Sequence, residues 1–398
     1  MLIPRQEYLQ DLIDFQDKDL IKVVTGIRRC GKSTLLEQFK KHLLKTGVAK
    51  KQIIALNFDD LSIDKLQDYH VLHDYILNNI LPNKMNYVFL DEVQNVPMFE
   101  KALASLHLRK NIDLYITGSN AYLLSGELAT FLTGRYVQIK MLPLSFREYL
   151  LACDKNSSLE ENYKKYITKG SFPGTLELER PEKINEYLSG LYSTIILKDV
   201  VTRRKIDNEL MLNSVVSFLF DNIGNLCSTK KIADTLTSYG RKIAVNTVES
   251  YIVGLLDCFM FYKIGRYDVK GKRYLKTGDK YYAADVGLRH YLLGGKNLDW
   301  GHVLENIICL ELIRRGYRLH IGKVGGAEVD FVATKGDILE YYQVALSVRD
   351  EATFAREIGP LQKIKDNNPK CILTLDQDPP SNNDGIRRLN ALDWLSVP

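Results

Sequence analysis

The 398-residue sequence lacks the features of a membrane or exported protein. No run approaches the roughly 18–20 consecutive apolar residues that a membrane-spanning helix needs. The N-terminal segment MLIPRQEYLQDLIDF carries charged residues where a signal peptide would have an apolar block. The six cysteines are scattered singly with no C-x-x-C pair, a spacing typical of reduced thiols and unlike that of a zinc site. These absences predict a cytoplasmic protein that has no membrane segment.

The sequence also lacks internal repeats, low-complexity tracts and a strong overall charge. At roughly 100–200 residues per domain, its length corresponds to about two to four domains. Hydrophobic residues make up 45% of the chain, which is ordinary for globular proteins and sufficient for several cores. The net charge of +5 is mild, but it is unevenly distributed. Residues 263–280 contain seven basic residues and two aspartates, so the rest of the chain is balanced.

Residues 21–36, IKVVTGIRRCGKSTLL, match the phosphate-binding pattern G-x-x-x-x-G-K-[ST] in full. Four β-favouring residues precede the loop and a helix-forming run follows it, which is the context that the pattern requires. In such a loop the backbone N–H groups face phosphate oxygens, the lysine reaches the β- and γ-phosphates, and the hydroxyl binds Mg²⁺. The predicted nucleotide-binding residues are Gly26, Ile27, Arg28, Arg29, Cys30, Gly31, Lys32, Ser33 and Thr34.

Strand patterns alternate with helical patterns over the first 145 residues. This alternation predicts a mainly parallel α/β sheet that binds its ligands at the carboxyl ends of the strands. The predicted strands are residues 21–24, 52–58, 87–90, 114–117 and 136–141, and the clearest helices are 34–46, 64–80 and 98–109.

Polar residues follow the third and fourth predicted strands. Asp91 is expected to hold Mg²⁺, usually through water, and Glu92 to orient and polarise the attacking water. Two acids at a strand end are also typical of a solvated loop, but the complete phosphate loop earlier in the chain favours the catalytic interpretation. The fourth strand delivers Thr117, Ser119 and Asn120, of which Asn120 is weakly preferred as a γ-phosphate sensor. No N-K-x-D guanine signature follows, so ATP is the expected nucleotide.

Arg135 lies between the sensor strand and the last strand. An arginine in this position can act as a finger on a neighbouring subunit's γ-phosphate, where it contributes ~10³–10⁵ in rate. If Arg135 acts on a neighbouring subunit, the protein is expected to form a homo-oligomer. Arg135 can instead be a surface arginine that pairs with an acid, and Arg28 or Arg29 can contact phosphate in its place.

The motifs GIRRCGKSTLL, FLDEVQNV, ITGSN and LTGRYVQIKMLPLSFREYL resemble those of prokaryotic AAA-type ATPases fused to a C-terminal domain of unknown function. The resemblance covers essentially the whole chain, including GSFPGTLE, GHVLEN and EVDFV. It implies an α/β fold with a P-loop AAA-type NTPase domain (1–145), a helical lid (146–207), a winged-helix domain (208–295) and a restriction-nuclease-like α/β domain (296–398). It implies little about the biological role.

The pattern of residues 209–290 also indicates a winged helix, because three helices precede two strand-like segments, 259–266 and 281–284. These strands flank the basic stretch, whose cations suit DNA phosphates with an affinity that falls steeply with salt. Winged helices also bind proteins, so a protein partner remains an alternative. The predicted DNA-binding residues are Lys263, Arg266, Lys270, Lys272 and Arg273.

Glu305, Glu328 and Asp330 resemble part of the metal site of restriction-type nucleases. In those enzymes a helix acid, a hairpin aspartate and an acid-x-Lys strand bind Mg²⁺ and activate water. Glu305 and Asp330 match that pattern, whereas Gln343 replaces the third acid and Ala345 replaces the lysine. A neutral amide holds Mg²⁺ poorly and no lysine is left to position hydroxide. We therefore expect a fold that docks DNA or protein without cutting.

The sequence thus predicts a Mg²⁺-dependent ATPase that couples ATP binding and hydrolysis to DNA binding or remodelling. Two alternatives stay open: a nucleotide-gated signalling or defence switch that acts on a protein partner, and an ATP-gated nuclease. The predicted catalytic residues are Lys32, Glu92, Asn120 and Arg135, and the predicted Mg²⁺ ligands are Ser33 and Asp91.

Overall fold

The structure is a computed structural model that describes residues 2–120, 132, 134–271, 273–274, 278–295 and 299–397. The chain divides into two compact units, Met1–Pro143 with Asp257–Phe259, and Leu144–Leu256 with Met260–Pro398. Within the described ranges, every helix is too short or too polar to cross a membrane. All six cysteines are described, and all are free thiols.

The first unit contains a five-stranded parallel sheet. Its strands are β1 (Ile21–Thr25), β2 (Ile53–Asn57), β3 (Asn86–Asp91), β4 (Ile112–Gly118) and β5 (Tyr136–Lys140), in the order β2–β3–β4–β1–β5. Every residue of β1, β3 and β4 is buried, because the helices that connect parallel strands cover both faces of the sheet. The five predicted strands are confirmed.

Among the described residues of the first unit, four helices accompany this sheet: α1 (Gln6–Asp14), α2 (Lys32–Lys45), α3 (Tyr69–Asn79) and α4 (Phe99–His107). The helix predicted to begin at residue 64 begins at Tyr69. Asp68 sets this start, because its carboxylate accepts hydrogen bonds from the backbone N–H groups of His70 and Val71. Residues 61–67 before it form a 3₁₀ segment.

The second unit begins with a mainly helical region, as predicted. It contains α5 (Phe146–Leu150), α6 (Leu159–Lys169), α7 (Pro181–Thr194), a π-helical segment (Ile195–Val201) and α8 (Thr202–Arg204). Ser145 and Ser158 begin α5 and α6 through capping boxes with Glu148 and Glu161. In both boxes the serine hydroxyl accepts from the N3 backbone and the glutamate accepts from the serine backbone N–H.

Three helices and a small antiparallel sheet follow. The helices are α9 (Glu209–Asp221), α10 (Thr229–Ser238) and α11 (Val245–Asp257), and the strands are β6 (Leu226–Cys227), β7 (Phe261–Ile264), β8 (Arg266–Asp268), β9 (Arg273–Tyr274) and β10 (Asp279–Ala283). β10 pairs with β6 and β7 in the order β6–β10–β7. The two predicted strands that flank the basic stretch therefore pair with each other.

The last part of the chain contains α12 (Val286–Leu293), α13 (Trp300–Arg314), β11 (Arg318–Val324), β12 (Ala327–Lys335), β13 (Ile338–Val344), α14 (Glu351–Gln362), β14 (Lys370–Thr374), β15 (Ser381–Asn383), β16 (Ile386–Asn390) and α15 (Ala391–Ser396). Its strands join β8 and β9 in an eight-stranded mixed sheet with the order β15–β16–β14–β13–β12–β11–β8–β9. The prediction of a small α/β region after residue 300 is confirmed.

The basic stretch does more than connect the two predicted strands that flank it. β8 pairs in parallel with β11, and β9 pairs with β8, so the stretch extends the eight-stranded sheet. Apolar contacts explain this pairing, because Tyr267 and Val269 pack against a core that includes Val324, Val329 and Val332. Burying these two side chains favours pairing over a solvated loop.

Candidate active site

The phosphate loop joins β1 to α2 and depends on two glycines. Gly31 has φ +108° at the start of α2. Gly26 approaches the chain after β5 so closely that a Cβ there would lie 2.1 Å from the carbonyl oxygen of Met141. Only glycine fits these positions without strain. The buried Arg5 guanidinium further fixes the loop by donating to the carbonyl oxygen of Cys30 at 2.9 Å.

Lys32 lies inside this loop with its side chain buried. Its Nζ donates to the carbonyl oxygens of Gly26 at 3.1 Å and Ile27 at 3.4 Å, and lies 3.7 Å from Oε1 of Glu92. A cation between the loop and the end of β3 is placed to bind the phosphates of a nucleotide. The lysine and the catalytic acid predicted from separate motifs are therefore brought together.

The other loop residues differ in whether their side chains, or only their backbone groups, are exposed to a ligand. Ile27 and Cys30 have buried side chains, so only their backbone can face a phosphate. Burial raises the pKa of the Cys30 thiol, which makes it unreactive and supports a packing role. Arg28 is half-buried, and Arg29 is exposed with φ +61°. Thr34, in the first turn of α2, is half-buried.

Ser33 and Asp91 form the predicted Mg²⁺ pair. The Ser33 hydroxyl is hydrogen-bonded to the Asp91 carboxyl group, and Thr117 Oγ1 donates to the same carboxyl group. Burial raises the pKa of Asp91, and these two hydrogen bonds oppose the shift. A hydroxyl and a carboxylate in contact at the phosphate loop are the oxygen ligands that Mg²⁺ prefers. The residues present thus fit ATP with Mg²⁺.

Glu92 follows β3 in an uncommon backbone conformation. Its φ of +52° and ψ of 45° lie in the left-handed region, which is unusual for a residue other than glycine and is often found at functional sites. Its backbone N–H donates to Thr117 Oγ1 at 2.9 Å, and its carboxylate accepts a hydrogen bond from Gln94 Nε2. The sequence motifs assign no role to Gln94, although it lies two residues after the predicted catalytic acid.

Ser119 and Asn120 are buried directly after β4. Parallel strands place their carboxyl ends at one edge of the sheet, so both residues follow the same edge as Asp91. The choice of Asn120 over Ser119 as sensor stays a prediction. Thr117, near the end of β4, contacts both acids: its hydroxyl donates to the carboxyl group of Asp91 and accepts from the backbone N–H of Glu92.

Arg135 lies at the opposite edge of the sheet from its own phosphate loop. Its carbonyl oxygen accepts from the N–H of Ile21, the first residue of β1, whereas the loop follows Thr25 at the end of that strand. Five strand residues at about 3.3 Å each separate the two edges by about 16 Å. The exposed Arg135 is therefore away from the site on its own chain, and action on a neighbouring subunit stays a prediction.

The predicted DNA-binding residues are in different environments. Lys263 is half-exposed, and its Nζ lies 2.8 Å from Asp279. Arg266 is half-buried in β8, and Lys270 is exposed in the turn after β8. Lys272 and the side chain of Arg273 lie outside the described residues. The backbone of Arg273 belongs to β9.

A second group of ionisable residues is centred on Lys280 of β10. Its Nζ lies 2.9 Å from Glu305, 2.8 Å from Glu328 and 3.9 Å from Asp330. Burial opposes the lysine charge, but the three carboxylates outweigh it and raise the pKa of Lys280. Burial and the Glu305 carboxylate raise the pKa of Asp330. The expectation that no lysine remains beside these carboxylates is wrong.

Gln343, which stands where the sequence pattern has a third acid, is part of the same group. Its Oε1 accepts from the N–H of Asp330 at 3.3 Å, and its Nε2 donates to Glu357 at 2.8 Å. The signal for Lys280 is its spacing from Tyr282. Residues two apart on a strand face the same side, and both side chains contact Oε1 of Glu305.

Comparison with known proteins identifies relatives along the whole chain. The family described as "AAA domain" matches residues 18–150, and a domain of unknown function (DUF8612) matches residues 160–299. An uncharacterized protein of Haemophilus influenzae is 40% identical over 398 residues, covering 99% of this chain and 98% of that protein. An uncharacterized protein of Methanocaldococcus jannaschii is 31% identical over 373 residues, covering 87% and 79% of the respective chains.

Among solved structures, a Walker-type ATPase of Pyrococcus abyssi is similar in fold. The match has a TM-score of 0.52 and 15% sequence identity, and covers 73% of this chain and 96% of that chain. At this identity the similarity concerns the fold alone. Together with the parallel sheet and the AAA match, it supports a P-loop ATPase fold for the first unit.

Proposed function

We propose that this chain, which belongs to the family of AAA-domain proteins represented by the Haemophilus influenzae relative, is an Mg²⁺-dependent ATPase that acts on DNA. The proposal of ATPase activity rests on the position of Lys32. Its ammonium lies within a glycine-rich loop and 3.7 Å from Glu92, the acid that follows the buried strand β3. A phosphate-binding cation and a general base are thus presented to one ligand.

Each residue has a separate role in this proposal. Lys32 and the loop N–H groups bind the phosphates, and Glu92 takes a proton from the attacking water. Ser33 and Asp91 would hold Mg²⁺, which supplies positive charge to the phosphate oxygens when bound. Thr117 fixes Asp91 and the Glu92 backbone in their relative positions. Asn120 is proposed as the γ-phosphate sensor.

The DNA half of the proposal is supported by the order of elements in residues 208–295. Three helices followed by the antiparallel pair β7–β10 is the order of a winged helix, a common DNA-binding module. We propose that Lys263, Arg266, Lys270, Lys272 and Arg273 contact DNA phosphates. Four further cations are exposed on α10 and the turn after it: Lys230, Lys231, Arg241 and Lys242.

A triple variant tests the DNA half. We expect Lys270→Ala, Lys272→Ala and Arg273→Ala together to weaken duplex binding and to reduce the slope of affinity against salt by about 3, because each phosphate contact contributes about one. The measurement is fluorescence anisotropy with labelled duplex at several salt concentrations. The double variant Lys164→Ala, Lys165→Ala is the matched control, because it removes two exposed lysines of α6 outside the basic stretch. Unchanged affinity in the triple variant would contradict these contacts.

An ATP-gated nuclease is the second candidate function, and Lys280 is the observation that favours it. This lysine lies beside Glu305 and Asp330, as a hydroxide-positioning lysine of a nuclease would. Gln343 in place of an acid counts against it. We therefore propose a docking role for residues 296–398. Plasmid cleavage with Mg²⁺ or Mn²⁺ that Asp330→Ala abolishes would instead establish the nuclease.

A further inference from the structure

Gln94 has an unusual arrangement of its two amide atoms. It lies in the 3₁₀ turn Val93–Asn95, and its Nε2 donates to Oε2 of Glu92. Its Oε1 is buried and has no hydrogen-bond partner among the described residues. The orientation of the amide is determined by chemistry, because turning it over would place a carbonyl oxygen against a carboxylate, and neither can donate.

A buried acceptor without a partner indicates that a donor binds there in the working state. Most buried polar groups in native proteins are paired, so an orphaned one calls for an explanation. Gln94 adjoins Glu92, whose other oxygen lies 3.7 Å from the phosphate-binding Lys32. The unpaired oxygen is thus next to the catalytic acid and not in an unrelated part of the core.

The distances allow one water molecule to bind both residues. The oxygen and nitrogen of a side-chain amide are about 2.2 Å apart by covalent geometry. Gln94 Oε1 is therefore close enough to the Glu92 carboxylate for a single water to bridge them once nucleotide binding uncovers Oε1, which is buried in this structure. Such a water gives one hydrogen to Glu92 and the other to Gln94, which leaves an oxygen lone pair free for attack.

We propose that Gln94 is a catalytic residue that holds the attacking water through Oε1 while its Nε2 fixes Glu92. This inference rests on the proposed ATP hydrolysis. The water oxygen forms a bond to the γ-phosphorus, and the bond from that phosphorus to the β,γ-bridging oxygen breaks, with its electron pair leaving on ADP. One water proton goes to Glu92. The other hydrogen stays on the oxygen that becomes part of inorganic phosphate.

The test compares Gln94→Leu and Gln94→Glu with Asn95→Leu. Leucine removes both amide atoms at similar size, and glutamate keeps the shape but loses the donor to Glu92. Asn95 is a matched control because it is an amide in the same turn whose Nδ2 bonds Phe58 and Asp59 instead. For each variant we would measure kcat, KM, and the affinity for ADP with and without aluminium fluoride.

We expect both Gln94 variants to lower kcat by about 10²-fold, the range of positioned proton-transfer groups. KM and ADP affinity should stay within about twofold, because the lost contact is made to water and not to nucleotide. Binding of ADP with aluminium fluoride, which mimics the transition state, should weaken. Asn95→Leu should change none of these quantities.

Two results would overturn different claims. If wild-type protein hydrolyses ATP and Gln94→Leu keeps kcat within about threefold, the role of Gln94 is wrong and the ATPase proposal stands. A matching loss of ADP affinity in the Gln94 variants would also contradict the inference, since it indicates a structural role. If wild-type protein is no faster than Lys32→Ala, the ATPase proposal fails and the inference fails with it.

Discussion

Lys280 and Glu305 form a buried ion pair in which Nζ lies 2.9 Å from the carboxylate oxygen Oε1. The lysine comes from β10, which ends the basic stretch, and the glutamate comes from α13, which packs on the eight-stranded sheet. The basic stretch is therefore anchored at its C-terminal end by a lysine whose charge is not available to DNA. This pairing limits which cations can contact a partner.

Replacing Lys280 should destabilise the protein strongly. Lys280→Met would leave Glu305, Glu328 and Asp330 without their shared cation, and removing one partner of a buried ion pair typically costs about 3–5 kcal/mol. Lys263→Met is the matched control, because its pair with Asp279 is half-exposed and should contribute less than about 1 kcal/mol. Urea denaturation measures both. A smaller loss for Lys280→Met than for Lys263→Met would contradict this account.

Thr117 should be required for both stability and hydrolysis. Thr117→Val keeps the shape but removes the acceptor of the buried Glu92 N–H and the donor to Asp91. An unpaired buried N–H costs about 1–3 kcal/mol, so we expect a loss of that size in urea denaturation, together with a lower kcat. Thr117→Ser keeps the hydroxyl and should retain kcat. Equal kcat values for the valine and serine variants would exclude a role for the hydroxyl.

His290 should make stability depend on pH. Burial, helped by the charge of Arg289, lowers the pKa of His290 below its ordinary value of about 6.5. The stability that this provides is present above about pH 6.5 and is lost as the pH falls through the lowered pKa, because the unfolded chain then binds more protons. His290→Gln has no imidazole to protonate and therefore lacks this pH-dependent contribution to stability. Between about pH 7.5 and pH 5, wild type should lose stability relative to the variant.

The control for this prediction is His70→Gln, which changes an exposed histidine. The loss of wild-type stability relative to His290→Gln on acidification should exceed any loss relative to His70→Gln over the same pH range. If the difference between wild type and His290→Gln does not change with pH, the proposed protonation of His290 does not contribute to stability.

Arg135 should act between subunits if it acts on phosphate at all. Arg135→Ala should slow hydrolysis by ~10³-fold or more without weakening ATP binding. Mixing Arg135→Ala with Lys32→Ala should restore activity, because the intact phosphate loop of one chain then meets the arginine of the other. Arg109→Ala, an exposed arginine just before β4 at the same edge of the sheet, is the control. No recovery on mixing would exclude the finger.

The sequence predicts the first unit well because its signals are local. Strands such as β3 contain a continuous apolar run, which is typical of a strand that is buried on both faces. Lys32 and Glu92 come together because the carboxyl ends of parallel strands meet at one edge of the sheet. The sequence pattern places the start of α3 too early, since the apolar period alone does not reveal the cap at Asp68.

The missed features depend on contacts between residues far apart in sequence. Lys280 meets Glu305 across 25 positions, and Thr117 meets Glu92 across the same separation. The spacing of Lys280 and Tyr282 places both on one face of β10 but does not identify Glu305 as their partner, and the pair of Thr117 and Glu92 has no local pattern that predicts it. The pairing of β8 with β11 likewise depends on Tyr267 and Val269 meeting a distant core, and a strand of three residues carries little propensity signal.

Phosphate release with and without DNA tests the central claim most directly. Wild-type protein would be compared with Lys32→Ala in Mg²⁺ and ATP, alone and with duplex, single-stranded or branched DNA. We predict hydrolysis by wild type alone, stimulated by at least one form of DNA, with the stimulation fading as salt is added. A rate equal to that of Lys32→Ala would contradict the ATPase claim. Hydrolysis indifferent to every DNA would contradict the coupling to DNA and support a switch that acts on a protein partner.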